Sequence, residues 1–338
     1  MASAAHAQKL PNVTILATGG TIAGTGASST TTVGYTAATV GVQQLIQAVP
    51  EMAKVANVTG EQVFQIASES MTNEHWLALG KRVNALLAQP NVDGIVITHG
   101  TDTMEETAYF LNLVVKSRKP VVLVGAMRPS TALSADGPIN LYNAVLLAGS
   151  ADAAGKGVMI AMGDQIHGAR DVTKTNTSTP DSFKTPELGM LGYIQGGKPF
   201  FYRSSARKHT AESEFDISAL SSLPQVDIVY GYANMNTVAL DAFVAAGAKG
   251  IIHAGVGDGS LAAKVKPGLV AARQKGAIIV RSSRVGNGIL ARNGEANDDE
   301  LDFVVSDTLN PQKARILLML ALTKTSSTKD IQRIFYTY

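Results

Sequence analysis

Short apolar runs alternate with segments of helical periodicity along most of this chain, and that alternation restricts its fold more than any other feature. Residues 13–17, 63–67, 94–98, 121–124 and 158–161 are bounded, mainly apolar runs. Strands buried on both faces of a parallel sheet read this way, without the polar alternation of a half-exposed strand. Between them, residues 73–89 place Trp76, Leu79, Val83, Leu86 and Leu87 at helical spacing. Thr72 or Asn73 caps the start of that helix and Pro90 stops it. Residues 105–117 and 138–148 read the same way, the second with Pro138 in its first turn.

Residues 202–223 break the rhythm: they are polar and charged without clear periodicity, and they read as a linker. The alternation then resumes, with strands expected at 226–230, 250–253 and 277–280 and helices at 237–246 and 261–275. Two further helices close the chain at 311–322 and 329–334. Strand–helix alternation on both sides of a linker predicts an α/β protein with two domains and mostly parallel sheets. The larger N-terminal domain is expected at 1–201 and the smaller C-terminal one at 224–338.

Composition narrows the function classes. Of the 338 residues, 45% are hydrophobic and 17% charged, which supplies a substantial core and argues against wholesale disorder. Lys+Arg 29 against Asp+Glu 27 leaves a net charge of +2, and no run of basic residues suggests a nucleic-acid partner. The longest apolar stretches fall well short of the roughly 20 residues of a membrane-spanning helix, so no membrane partner is expected. The absence of cysteine excludes disulfides, thiolate catalysis and Cys-ligated zinc. At the N-terminus, Ala5-His6-Ala7 has the small-residue pattern that precedes signal-peptidase cleavage. It reads either as the tail of an export leader or as an incidental Ala-rich arm.

Ligands of parallel α/β sheets sit at the carboxyl ends of strands, so the residues just after each strand matter most. After the first strand comes Ala17-Thr18-Gly19-Gly20-Thr21-Ile22-Ala23, and after the third Thr98-His99-Gly100-Thr101-Asp102-Thr103-Met104-Glu105-Glu106. Gly125-Ala126-Met127-Arg128-Pro129 follows the fourth, and Arg170-Asp171-Val172-Thr173-Lys174-Thr175 comes somewhat after the fifth. Hydroxyls beside glycines, with an acid and a lysine near the same edge, suit nucleophilic acyl transfer. A threonine hydroxyl needs a base to take its proton, and glycines let backbone N–H groups approach a developing oxyanion.

Each element alone has a plainer reading. Thr-Gly-Gly-Thr is more often a tight turn, His99 more often a hydrogen-bonded structural residue, and Lys174 more often a solvated charge. The six histidines show no metal-binding spacing, so no metal is expected. Gly24-Thr25-Gly26 and Gly255-Val256-Gly257 begin like dinucleotide loops, but Ser29 and Ser260 stand where the third glycine belongs. No cofactor is expected.

Taken together, these strand-end motifs, with Ser134-Ala135-Asp136-Gly137-Pro138 and Asn310-Pro311-Gln312-Lys313-Ala314-Arg315, closely resemble the bacterial type II L-asparaginases, nearly from end to end. The resemblance implies hydrolysis of L-asparagine to L-aspartate and ammonia, with secondary activity on L-glutamine. Thr21 would be the nucleophile that carries a β-aspartyl ester. Tyr35 would polarise the Thr21 hydroxyl from a mobile lid. Thr101, Asp102 and Lys174 would form a second triad, in which Lys174 accepts a proton through Thr101. Such a lysine must be able to lose its proton; burial favours that and a neighbouring carboxylate opposes it, so the three groups would titrate as a unit.

The same resemblance gives the Thr101 N–H the oxyanion, the Ala126 carbonyl the leaving amide, and Ser68 and Glu69 the α-carboxylate and α-ammonium, with Asp102 and Asp258 near the ammonium. Glu295 would reach the substrate of a neighbouring subunit, making an intimate dimer obligatory and a homotetramer of two such dimers the expected assembly. Exported members of the family match best, which implies a periplasmic protein. Two positions depart from the most Asn-selective pattern: Glu69, where Gln is usual, and Asp258, where Asn is frequent. Both bear on selectivity, and a glutaminase-asparaginase with comparable rates on both amides is the nearest alternative. A periplasmic amino-acid binding protein is the alternative from another class.

Overall fold

The structure is a computed structural model and describes residues 9–338. The Ala5-His6-Ala7 arm lies outside the described residues.

The chain forms two compact units. Among the described residues, the first comprises 9–108, Val115–Thr185 and Gly189–Ser205, and the second Tyr109–Val114, Pro186–Leu188 and Ala206–Tyr338. In chain order the elements up to Phe201 are β1 (Asn12–Gly19), α1 (Val42–Gln47), β2 (Asn57–Ile66), α2 (Asn73–Leu87), β3 (Gly94–Thr98), α3 (Met104–Val114) and β4 (Val121–Val124). They continue with α4 (Gly137–Ala148), β5 (Val158–Met162), β6 (Gln165–Gly168), β7 (Thr173–Lys174), β8 (Phe183–Lys184), β9 (Gly192–Gln195) and β10 (Lys198–Phe201). Apart from the β7–β8 ribbon, the strands form one sheet in the order β10-β9-β6-β5-β4-β3-β1-β2. Strands β2, β1, β3, β4 and β5 pair in parallel. β6, β9 and β10 extend the sheet antiparallel beyond β5.

The central strands β3, β4 and β5 are buried at every residue, as continuous apolar runs require. β2 begins six residues before the expected strand at 63–67 because it is the sheet's edge, where Asn57–Gly60 stays half exposed and carries no apolar signal. α2 runs as its periodicity predicts. Thr72 caps it, its hydroxyl accepting from the His75 N–H at 3.3 Å, an arrangement typically contributing about 1 kcal/mol. Trp76, Leu79, Val83 and Leu86 are buried on one side of α2.

The parallel strands run in the order 2-1-3-4-5, so successive crossovers change direction between β1 and β3. The crevice outside the carboxyl ends of these two strands is where such sheets bind ligands.

The second unit contains β11 (Val226–Tyr230), α5 (Val238–Ala245), β12 (Gly250–Gly255), α6 (Lys266–Gln274), β13 (Ile278–Ser283), α7 (Asp298–Leu301), β14 (Val304–Val305), α8 (Pro311–Ala321) and α9 (Thr328–Thr337). Its sheet follows chain order, β11-β12-β13-β14, all parallel, and so has no reversal of direction. α6 starts later than the expected 261–275 because Pro267 is accommodated only in a helix's first turn. Residues 202–223 hold no longer element than a single 3₁₀ turn, yet Phe215 and Ile217 are buried there.

Candidate active site

The site starts with backbone packing at the reversal point. Gly20 stands at φ +83°, and a Cβ on it would lie 2.3 Å from the Gly100 nitrogen. A Cβ on Gly100 would in turn lie 2.6 Å from Ser68 Oγ. Only glycines let the loops after β1, β2 and β3 approach this closely, and their approach gathers Thr21, Ser68 and Thr101.

These residues line a pocket of about 360 Å³ together with Tyr35, Glu69, Asp102 and Lys174. Two hydroxyl clusters face it. In one, Thr21 Oγ1 and Tyr35 Oη stand 2.7 Å apart. Thr21 is buried in the 3₁₀ turn Thr21–Ala23 that follows the Gly-Gly pair. Tyr35 comes from a loop closed by paired Thr25 and Thr36, and this loop also contributes Thr32, Val33 and Gly34 to the pocket. The base of the loop is braced by the segment after β4: Ser130 Oγ donates to the Gly24 carbonyl, and the Gly26 N–H donates to Thr131 Oγ1. Gly24 and Gly26 therefore belong to the braced base of this loop. Gly255 and Gly257 likewise belong to a tight turn closed by a Val256–Ser260 bridge, which opens no helix.

In the second cluster, Lys174 Nζ donates to Thr101 Oγ1 at 2.9 Å and to Asp102 Oδ1 at 2.6 Å. The lysine side chain is only 14% exposed, against 62% for the aspartate. Lys174 lies on the β7–β8 ribbon, where neighbouring Thr173 donates to the buried Glu105 at 3.1 Å. Because Lys174 donates to the Thr101 oxygen, the Thr101 hydroxyl proton is left for another acceptor.

Ser68 is buried in the turn after β2, where Thr103 Oγ1 holds its carbonyl at 2.8 Å, and Glu69 beside it is exposed. Ala126 is fully buried after β4 and does not line the pocket, whereas its neighbour Met127 does. Asp136 explains the Ser-Ala-Asp-Gly-Pro motif: its carboxylate accepts from the N–H groups of Met127 and Arg128 and pins that turn. Thr177 and Ser178 also line the pocket. Neither belongs to the strand-end motifs, the nearest of which stops at Thr175. The signal was the hydroxyl-rich run after Lys174, turned by Asn176, whose side chain accepts from the Ser178 N–H at 2.9 Å.

His99 does not line the pocket, and both its ring nitrogens make hydrogen bonds inside the fold. It is buried, and burial pulls its pKa down to about 4, so the ring is neutral.

Asp258 and Glu295 belong to the second unit and are not among the residues lining this pocket. There Ser260 Oγ donates to Glu295 at 3.2 Å, and the Ala291 N–H donates to Asp258 at 3.3 Å. Among the described residues, no group of three or more His, Asp or Glu side chains is arranged to hold a metal.

The family described as "Asparaginase, N-terminal" matches residues 12–207, and "Glutaminase/Asparaginase C-terminal domain" matches residues 225–335. The chain is 56% identical over 331 residues to a glutaminase-asparaginase of Pseudomonas fluorescens biotype A, covering 98% of this chain and 91% of that protein. It is 55% identical over 337 residues to the L-asparaginase 2 of Bacillus subtilis, covering 100% and 89%. A Haemophilus influenzae relative, 52% identical over 333 residues and covering 98% and 95%, is named a probable periplasmic L-asparaginase. Among solved structures, a probable cytoplasmic L-asparaginase from Campylobacter jejuni superposes with a TM-score of 0.95 at 51% identity, covering 97% of this chain and all of that one. Both family domains in order, and relatives matched over nearly their whole length, make this chain a member of the glutaminase/asparaginase family.

Proposed function

We propose that this protein hydrolyses the side-chain amide of L-asparagine, releasing L-aspartate and ammonia through an ester on Thr21, with a secondary activity on L-glutamine. The observation that carries the reading is the pair of hydroxyl clusters, Thr21–Tyr35 and Thr101–Lys174–Asp102, on one pocket. Thr21 Oγ1 attacks the amide carbon while its proton passes toward Tyr35. The oxygen that becomes negative is taken up by the Thr101 N–H. The C–N bond then breaks, and nitrogen leaves as ammonia with a proton supplied through the Thr101 hydroxyl and restored from Lys174. Water attacks the ester and gives one proton back to Lys174 along the same route, and the ester bond breaks as Thr21 Oγ1 takes its own proton back from Tyr35.

Ser68 receives the substrate α-carboxylate, and Glu69 and Asp102 receive the α-ammonium. Ala126 lies behind the leaving group. Asp258 and the partner subunit's Glu295 complete the ammonium subsite, in a homotetramer built from intimate dimers. The periplasm is the proposed location, in keeping with the name of the Haemophilus influenzae relative.

Ammonia release from asparagine and glutamine tests the reading. Turnover of asparagine supports it. Thermal stabilisation by asparagine without ammonia release would instead identify an amino-acid binding protein.

A further inference from the structure

A buried chain of hydrogen bonds ends on the peptide group that the proposed mechanism uses for the oxyanion. Trp76 Nε1 lies 2.9 Å from Thr107 Oγ1, and Thr107 Oγ1 lies 2.9 Å from His99 Nε2. His99 Nδ1 lies 2.7 Å from the Gly100 carbonyl oxygen. Trp76, Thr107 and His99 are all buried.

Each proton in this chain is assigned by chemistry. A carbonyl only accepts, so His99 Nδ1 carries the hydrogen. The ring is neutral, so Nε2 is the acceptor and Thr107 donates to it. An indole N–H only donates, which fills the remaining role at the Thr107 oxygen. The dipoles therefore run head to tail from Trp76 through Thr107 and His99 to the Gly100 carbonyl.

That carbonyl and the Thr101 N–H are two ends of one planar peptide group. Thr101 lines the pocket and is buried, and its N–H has no hydrogen-bond partner among the described residues. A buried N–H without a partner calls for an acceptor that arrives from outside. A hydrogen bond on the carbonyl side orients the peptide plane and polarises the N–H, and aligned bonds strengthen one another by about 10–30% each.

We propose that His99, held by Thr107 and Trp76, is a positioning residue that aims and polarises the Thr101 N–H at the oxyanion. The proposal rests on the acyl-transfer reading above. An oxyanion exists only in the transition state and intermediate, so the effect belongs in kcat and not in KM.

Steady-state kinetics on asparagine with the full-length protein and two Thr107 variants test it. Thr107→Val keeps the volume and removes the hydroxyl, whereas Thr107→Ser keeps the hydroxyl and loses a methyl. The expected result for Thr107→Val is a kcat lowered about tenfold with KM within about twofold, less than the roughly 10²–10³ lost when an oxyanion donor is removed outright. Thr107→Ser should retain most of the wild-type kcat. A packing role for Thr107 would give the opposite order. Thr107→Val leaves the Trp76 and His99 polar atoms without their partner, which costs stability, so Trp76→Phe/Thr107→Val/His99→Leu, which removes all three polar partners together, gives a second measurement and should show the same loss of kcat. Folded variants with unchanged kcat, or with a raised KM alone, overturn the positioning role while leaving the wild-type turnover intact. Absence of turnover in the wild type overturns the underlying reading as well.

Discussion

Asp298 holds Arg281 by both carboxylate oxygens, at 2.6 and 2.7 Å, with neither side chain exposed to solvent. The remaining guanidinium hydrogens reach the carbonyls of Asp258, Gly259 and Ala291. Arg281 thus ties together the two loops that carry Asp258 and Glu295. Removing one partner strands a buried charge, so Asp298→Ala should cost about 3–5 kcal/mol. Arg281→Met/Asp298→Leu, which removes both charges, should cost far less. Urea unfolding of the single and double variants checks this. Equal losses in the two would contradict the account.

The 2.7 Å contact between Thr21 and Tyr35 leads to a prediction about activity. Thr21→Val nearly conserves volume and should leave the fold intact while lowering kcat by about 10³-fold or more. Tyr35→Phe should cost about 10²–10⁴-fold, the usual range for a lost proton-transfer group. A folded Thr21→Val protein that keeps more than a few per cent of activity would move the nucleophile to Thr101.

The parts of the fold that the sequence made legible are those where burial is complete. The strands at 94–98 and 121–124 coincide with β3 and β4, because fully buried strands leave continuous apolar runs between clear stops. β6, β9 and β10 were not legible: they are four residues long, mix Gln, Tyr, Lys and Gly, and owe their pairing to the neighbouring strand. At the site, Thr21, Ser68, Thr101 and Lys174 were legible from glycine- and hydroxyl-rich strand ends together with the family resemblance. Thr177 and Ser178 were not, since only the turn at Asn176 carries them to the pocket.

Acid sensitivity should follow from His99. Its pKa is near 4 in the folded protein, against an ordinary 6.5, so between these values the unfolded chain binds the extra proton. Stability is full above pH 6.5 and falls as the pH drops toward 4, by about 3 kcal/mol from this one group. His253 is shifted in the same direction by burial and adds to the trend. Urea midpoints measured from pH 7 to pH 4.5 should decline in the wild type and decline less in His99→Leu. Parallel curves for the two proteins would remove His99 as a source.

Selectivity should depend on Glu69, which lines the pocket as an exposed carboxylate. Glutamine is longer than asparagine by one methylene, a difference a pocket usually discriminates by only about 1–3 kcal/mol. A full negative charge on the ammonium tolerates the shifted pose that brings glutamine's amide carbon to Thr21. Glu69→Gln should therefore lower kcat/KM for glutamine by a larger factor than for asparagine. Proportional losses on the two amides, or a loss confined to asparagine, would sink the idea.

The proposed sharing of sites between subunits has a statistical signature. Thr21→Ala and Glu295→Ala proteins should each be inactive or weakened, but their defects lie on different halves of a shared site. When the two are unfolded and refolded together at equal amounts, half of the isologous dimers are mixed. In each mixed dimer one site carries both defects, and the other combines an intact Thr21 with the partner subunit's Glu295. About a quarter of all sites should then be fully functional, and activity should recover to roughly that fraction of the wild type. The dependence on mixing ratio sharpens the test, because recovery should peak at equal amounts and vanish at either extreme. Mixed oligomers verified by mass that regain no activity would place Glu295 outside any shared site.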